Sequence, residues 1–166
     1  MSRLARALLS AGMDVTLIVD GANVMGSRAD GWWRDRPGAM ARLHGELAAL
    51  ATRGIAGPVP GEPQAGETGG PEPEAGGPGG PEAGDRWFPD IVLVVEGRAC
   101  KVLDLVEPAP GVEVVPARGE GDHAIAALAE QLPGQRVVIT ADRELRRRCE
   151  AAGAAVLGPR WLMGLL

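Results

Sequence analysis

Short, unbroken apolar runs alternate with helical patterns along this 166-residue chain, and this alternation constrains the fold more than any other feature. Continuous apolar runs are typical of strands buried on both faces, and intervening helices are the usual crossovers of a parallel sheet. The pattern predicts an α/β fold with a central parallel sheet of about five strands, flanked by helices, with right-handed crossovers. The predicted strands are 15–19, 90–95, 112–116, 135–140 and 154–157, and the predicted helices are 37–52, 122–131 and 142–152, followed by an apolar turn at 161–166.

A segment at residues 57–85 has a different composition from the rest of the chain. It contains ten Gly and seven Pro in 29 positions, with six acidic residues and no Lys or Arg. Such a segment buries too little apolar surface to offset its ordering entropy, so we expect a disordered acidic insertion. Because neither flanking piece has enough strands alone, residues 1–166 are predicted to form a single domain interrupted by this insertion.

Acidic residues follow the ends of four predicted strands. Asp20, Glu96 and Asp142 come directly or almost directly after a strand, and Asp122 comes after a glycine-rich turn. In an open parallel sheet, the carboxyl ends of the strands form one edge, where ligands bind. The three Asp residues also have local alternatives, because Asp-Gly forms turns and Asp is a favoured N-cap. Those alternatives do not explain why all the acids fall at the same edge.

Converging carboxylates repel each other unless a cation lies between them, and an all-oxygen set favours Mg²⁺ or Mn²⁺. We therefore expect Asp20, Glu96, Asp122 and Asp142 to be the metal site. Divalent ions held in this way promote phosphodiester hydrolysis. Since Mg²⁺ usually keeps several waters, some of these acids would act through water or as a general base.

The run Gly119-Glu120-Gly121-Asp122-His123-Ala124 also fits the dinucleotide pattern G-x-G-x-x-A. Placing a pyrophosphate there would bring it against two carboxylates and would leave the Asp20 turn without a role. We therefore expect no nicotinamide or flavin cofactor. No G-x-x-x-x-G-K-[ST] motif occurs, which argues against a P-loop nucleotide hydrolase.

The segment 26–36 combines aromatic and basic side chains: Arg28, Trp32, Trp33, Arg34 and Arg36. Indole rings and guanidinium groups together stack on unpaired bases and bind phosphates, so these residues are candidate RNA-binding residues. The alternative is that one or both Trp side chains simply cover the edge of the sheet.

The motifs at the strand ends resemble those of the NYN domain, in the YacP-like branch of the PIN-like ribonucleases. The resemblance rests on residues 18–23, 94–97, 119–122 and 140–143, in that order. It implies a Rossmann-like PIN-type fold and Mg²⁺- or Mn²⁺-dependent endoribonuclease activity. It also implies that Asp20, Asp122 and Asp142 are catalytic metal-site acids assisted by Asn23. The family often has Asp where this chain has Glu96, and the acidic insertion is absent from its pattern.

The predicted function is therefore a metal-dependent endoribonuclease acting on RNA. Two alternatives stay open: a non-catalytic RNA-binding PIN-like module, and a nucleotide phosphohydrolase. Cys100 and Cys149 lack the spacing of a disulfide framework or a zinc site, and the apolar run at 4–13 is too short for a membrane span. We expect a cytoplasmic protein without a membrane partner, and the sequence leaves the choice between monomer and homodimer open.

Overall fold

The structure is a computed structural model that describes residues 14–61 and 86–166. The N-terminal run at 4–13 and residues 62–85 of the predicted insertion lie outside the described residues. Residues 57–61 pack against the fold, where Val59 is buried and the Pro60 carbonyl accepts a hydrogen bond from Gln135 Nε2 at 2.9 Å. Within the described ranges, no helix combines the length and apolarity needed to cross a bilayer.

The strands of the described residues are β1 Val15–Asp20, β2 Ile55–Ala56, β3 Arg86–Trp87, β4 Asp90–Val95, β5 Val112–Pro116, β6 Gln135–Ile139 and β7 Ala155–Leu157. A five-stranded parallel sheet forms the centre of the molecule, in the order β5-β4-β1-β6-β7, which confirms the predicted fold class. A short antiparallel pair, β2 and β3, was not predicted, because strands of two residues leave no periodic pattern.

Helices connect the parallel strands and cover both faces of the sheet. Their bounds are α1 Gly21–Gly26, α2 Arg36–Arg53, α3 Gly121–Gln131, α4 Arg143–Ala151 and α5 Pro159–Met163, with 3₁₀ helices at Trp32–Arg34 and Gly97–Asp104. The segment after Asp20, for which a turn was the local alternative, is the helix α1. Its two glycines disfavour a helix, but Val24 and Met25 are buried in the core and stabilise it.

The start of α3 differs from the sequence-based expectation. Asp122 was considered as an N-cap, but Glu120 occupies that position without a side-chain cap bond, and Asp122 lies in the first turn. The Asp122 carboxylate is therefore not needed to cap the helix, although it lies where the positive end of the helix dipole favours an anion.

Side chains alternate across the sheet and divide the core into two parts. Leu17 and Val19 pack with α2 and the second 3₁₀ helix on one face, whereas Ile18 packs with α3 and α4 on the other. The strand order reverses at β1, with β4 on one side and β6 on the other. Asp20 lies at the carboxyl end of β1, which is the topological switch point where ligands bind in such sheets.

Candidate active site

Asp20 is a nearly buried carboxylate at the end of the central strand, with 7% of its surface exposed. Its Oδ2 accepts hydrogen bonds from Asn23 Nδ2 at 2.8 Å and from Thr140 Oγ1 at 2.9 Å. Its Oδ1 accepts from the Asn23 backbone N–H at 3.2 Å, so Asp20 is also the N-cap of α1. These three bonds hold the carboxylate in one orientation.

Gly21 allows the chain to approach β4 closely just after Asp20. A Cβ at this position would lie 2.7 Å from the carbonyl oxygen of Val94 and 2.9 Å from Met40 Cε. Because a backbone carbonyl in a central strand cannot move cheaply, only glycine fits here. This close approach fixes the direction in which α1 leaves the sheet.

Burial raises the pKa of Asp20 above its ordinary value, and the nearby charge of Glu96 acts in the same direction. The hydrogen bonds from the Asn23 backbone, Thr140 and the Asn23 side chain partly offset this rise in the pKa. A cation bound beside Asp20 would favour the ionised carboxylate and would remove its repulsion with Glu96.

Asn23 and Thr140 connect the end of β1 with the start of α4. Asn23 Oδ1 accepts from the Ala141 N–H at 3.2 Å, and Thr140 Oγ1 accepts from the Asp142 N–H at 3.1 Å. Asp142 Oδ1 accepts from the Leu145 N–H at 2.8 Å, so Asp142 caps α4 as its local alternative predicted. The remaining oxygen of Asp142 lies at the exposed edge of the sheet, two residues along the chain from Thr140.

Glu96 connects the end of β4 with the start of α3. Its Oε2 accepts a short hydrogen bond from the Gly121 N–H, one residue before Asp122. A Cβ at Gly121 would lie 2.8 Å from that oxygen, so a larger residue there would displace the Glu96 carboxylate from its present position. Glu96 therefore lies between the Asp20 network and the first turn of α3.

The four predicted metal-site acids do not form one compact group. Within residues 14–61 and 86–166, three or more potential ligand residues have their ligand atoms within 4.8 Å of one another at one place. These residues are Glu120, Asp122 and His123. Of the predicted acids, only Asp122 is in that group. A single ion contacted by Asp20, Glu96 and Asp142 together would therefore need bridging water or a movement of side chains.

The donor set nevertheless fits Mg²⁺ or Mn²⁺. Each of the four acids offers carboxylate oxygen, the ligand that these hard cations prefer. The Asp20 carboxylate accepts three hydrogen bonds. Glu96 and Asp142 each accept one hydrogen bond, through one carboxylate oxygen. A carboxylate has about four lone-pair positions, so each acid retains acceptor capacity for an ion or its waters.

The segment 26–36 separates into residues with different environments. Trp33 is 57% exposed, whereas Trp32 packs against the core and meets Trp33 edge-on at 6.2 Å between ring centroids. Arg36 lies 5.4 Å from the Trp32 centroid in a cation–π contact, and Arg28 forms an ion pair with Glu46 at 2.6 Å. Trp32 is therefore half-buried against the core, whereas Trp33 remains accessible. Arg34 lies on the exposed surface beside Trp33.

The sequence analysis did not single out Thr140, whose side chain orients Asp20, or the exposed basic residues Arg98 and Lys101 that follow Glu96. Thr140 ends a predicted strand, and only the fold shows that its hydroxyl reaches Asp20. Arg98 and Lys101 belong to the 3₁₀ helix that follows Glu96, which was not predicted. In a 3₁₀ helix, side chains at i and i+3 lie on the same face, so this spacing is the signal that could have identified the pair.

If the chain cleaves RNA, as the sequence resemblance implies, replacing Thr140 with Val should slow that cleavage about tenfold and shift the acidic limb of its pH profile upward. Val has nearly the same shape but removes a hydrogen bond that lowers the pKa of Asp20, so the carboxylate ionises at higher pH. The measurement is kcat/KM for RNA cleavage against pH. Thr140→Ser retains the hydroxyl and should restore the profile. An unchanged acidic limb in Thr140→Val would show that this hydrogen bond does not act on the reaction.

Comparisons with known proteins support the fold. No family model and no curated protein matches the sequence. Among solved structures, the chain is similar to a mutant form of Rae1 (YacP) from Bacillus subtilis, with a TM-score of 0.57 and 18% identity, over 92% of this chain and 75% of that chain. At this identity the match shows a shared fold. The resemblance to YacP-like proteins is therefore confirmed at the level of the fold.

Proposed function

We propose that the chain is a metal-dependent endoribonuclease that hydrolyses RNA phosphodiester bonds at the carboxyl edge of its sheet. The observation that carries the proposal is the Asp20 carboxylate, nearly buried at the topological switch point and oriented by Asn23 and Thr140. Burying a carboxylate costs stability, and the packing of the core does not require one at this position. Such a costly buried group is expected where it serves a function. The family that the sequence resembles supplies the reaction type, and the shared fold with Rae1 (YacP) supports that resemblance.

In this proposal, Asp20, Glu96, Asp122 and Asp142 hold Mg²⁺ or Mn²⁺, partly through water. The ion would neutralise charge on the scissile phosphate and lower the pKa of an attacking water. The chain's own contribution is orientation. Asn23 and Thr140 fix Asp20, the α4 cap fixes Asp142, and the Gly121 N–H fixes Glu96.

Parallel assays on RNA and on nucleoside triphosphates test the proposal. We expect internal cleavage of RNA with Mn²⁺ or Mg²⁺, no cleavage in EDTA, and no release of phosphate from nucleoside triphosphates. RNA binding without cleavage under any metal condition would instead support the non-catalytic module. Phosphate release from nucleotides with intact RNA would support the phosphohydrolase.

A further inference from the structure

A basic cleft lies on the surface beside the carboxyl edge of the sheet that carries Asp20, Glu96 and Asp142, which we call the acidic edge. It has a volume of about 570 Å³ and lies between the segment that begins α2 and the 3₁₀ helix after β4. We call it the basic cleft and define it by its lining residues: Trp33, Arg34, Asp35, Arg36, Pro37, Arg98 and Lys101.

The lining of the basic cleft is strongly cationic. It combines Arg34, Arg36, Arg98 and Lys101 with a single carboxylate, Asp35. Asp35 Oδ1 accepts from the Gly38 N–H at 3.0 Å and caps α2, so its charge is directed toward the positive end of that helix. The described part of the chain thus concentrates positive charge here, although the whole sequence carries a net charge of −5.

The geometry points to the basic cleft as a binding site for single-stranded RNA, in which Arg98 and Lys101 contact phosphates and Trp33 stacks on an unpaired base. This inference rests on the proposed function and names the substrate class and the residues that position it. Trp33 is the exposed aromatic ring of the cleft, and base stacking on such rings is a sequence-tolerant way to bind single strands.

A smaller cavity shares one lining residue with the basic cleft and another with the acidic edge. It has a volume of about 140 Å³ and is lined by Ala22, Met25, Trp32, Arg36, Glu96 and Ala99. Arg36 lines both cavities, and Glu96 belongs to the acidic edge. A strand held in the basic cleft would therefore lie within one side chain, Arg36, of the cavity that contains Glu96. This proximity favours the substrate itself as occupant over an unrelated acidic peptide.

The basic cleft also favours unpaired RNA over duplex RNA. Stacking on Trp33 requires a base that is not already stacked and paired in a helix. Double-stranded RNA is recognised mainly by shape across its grooves, which needs an extended surface rather than a cleft. We therefore expect a short single strand to bind more tightly than a hairpin of the same composition.

The test measures equilibrium binding of a fluorescein-labelled oligouridylate to the full chain by anisotropy, in EDTA and over a series of salt concentrations. The double variant Arg98→Ala/Lys101→Ala should bind at least about tenfold more weakly. Its salt slope should fall by about 1.4, because each phosphate contact on a single strand contributes about 0.7. Trp33→Ala should weaken binding about five- to hundredfold with the slope unchanged, and Trp33→Phe should restore most of the affinity.

The matched control is Arg147→Ala/Arg148→Ala, which removes the same charge from α4 on the opposite face of the sheet. This control should retain the affinity and salt slope of the unmodified chain. Equal loss in both double variants would reduce the effect to net charge and would overturn the assignment. Equal affinity for a hairpin, or equal competition by polyglutamate, would overturn the choice of single-stranded RNA.

Binding and cleavage report on different claims. If the unmodified chain cleaves RNA while Arg98→Ala/Lys101→Ala binds and cleaves normally, the basic cleft inference fails and the proposed function stands. If the chain binds RNA through these residues but never cleaves it, the cleft inference stands and the proposed function fails.

Discussion

Replacing Asp20 with Asn is expected to reduce RNA cleavage at least about a thousandfold, equivalent to about 4 kcal/mol of transition-state stabilisation. The substitution keeps the size of the side chain and removes its charge. The Asn oxygen can still accept the hydrogen bonds from Thr140 and Asn23 Nδ2 that Oδ2 accepts now. The measurement is kcat/KM with Mn²⁺, beside Mn²⁺ binding to the same variant. Both should be lost together, because the proposed role of Asp20 is to hold the ion.

The same variant should remain folded. Asn places an NH₂ group where Oδ1 accepts from the Asn23 N–H, which costs about 0.5–1.5 kcal/mol. Removing a buried charge offsets this loss. Because burial raises the folded-state pKa of Asp20 above 3.8, its contribution to stability is present below that pH and is lost as pH rises through the folded-state pKa. In EDTA, Asp20→Asn should therefore gain stability relative to the unmodified chain as pH rises through that range.

The matched control is Asp14→Asn, which makes the same substitution at an exposed position just before the start of β1, at the opposite edge of the sheet. It should leave cleavage and metal binding unchanged. Cleavage retained in Asp20→Asn would remove Asp20 from the catalytic site. A variant that lost cleavage only because it unfolded would reveal itself in the melting curve.

Substitutions at Asp142 should separate its charge from its capping role. Asp142 Oδ1 caps α4 through the Leu145 N–H, and Asn and Ser cap helices about as well as Asp. Asp142→Asn and Asp142→Ser should therefore retain the melting temperature but lose cleavage about a hundredfold or more, equivalent to about 3 kcal/mol. Asp142→Ala should lose cleavage to the same extent and also about 1 kcal/mol of stability.

Parallel measurements of melting temperature and kcat/KM on these three variants decide between the two roles of Asp142. If cleavage followed stability across the series, with Asn and Ser remaining active, Asp142 would be a helix cap and no more. Loss of cleavage in all three, with only Ala destabilised, would assign the carboxylate itself to the reaction.

The fold could be predicted from the sequence because the central strands consist of short, mainly apolar runs. β1 and β4 are buried along almost their whole length, and such runs leave few alternatives to a covered parallel sheet. The edge that carries Asp20, Glu96 and Asp142 followed from the parallel order of the strands. Strand order at β1 then placed these residues at a topological switch point.

The details of the site could not be predicted, because they depend on contacts between residues far apart in the chain. Thr140 and Asp20 are 120 positions apart, and no local pattern reports their hydrogen bond. The 3₁₀ helix that presents Arg98 and Lys101 lacks the period of 3.6 residues that marks an α-helix. The distances between the carboxylates could not be predicted from the sequence either. The positions of acids at strand ends gave no indication that Glu120, Asp122 and His123 form a compact group.

A crystal of the full chain soaked in Mn²⁺, with anomalous diffraction recorded at the manganese edge, tests the metal site most directly. We predict an anomalous peak beside Asp20, with oxygen of Glu96, Asp122 or Asp142 coordinating it directly or through one water. No peak beside Asp20 at a Mn²⁺ concentration that supports cleavage would contradict the proposed site. A peak bound only by Glu120, Asp122 and His123 would contradict it equally.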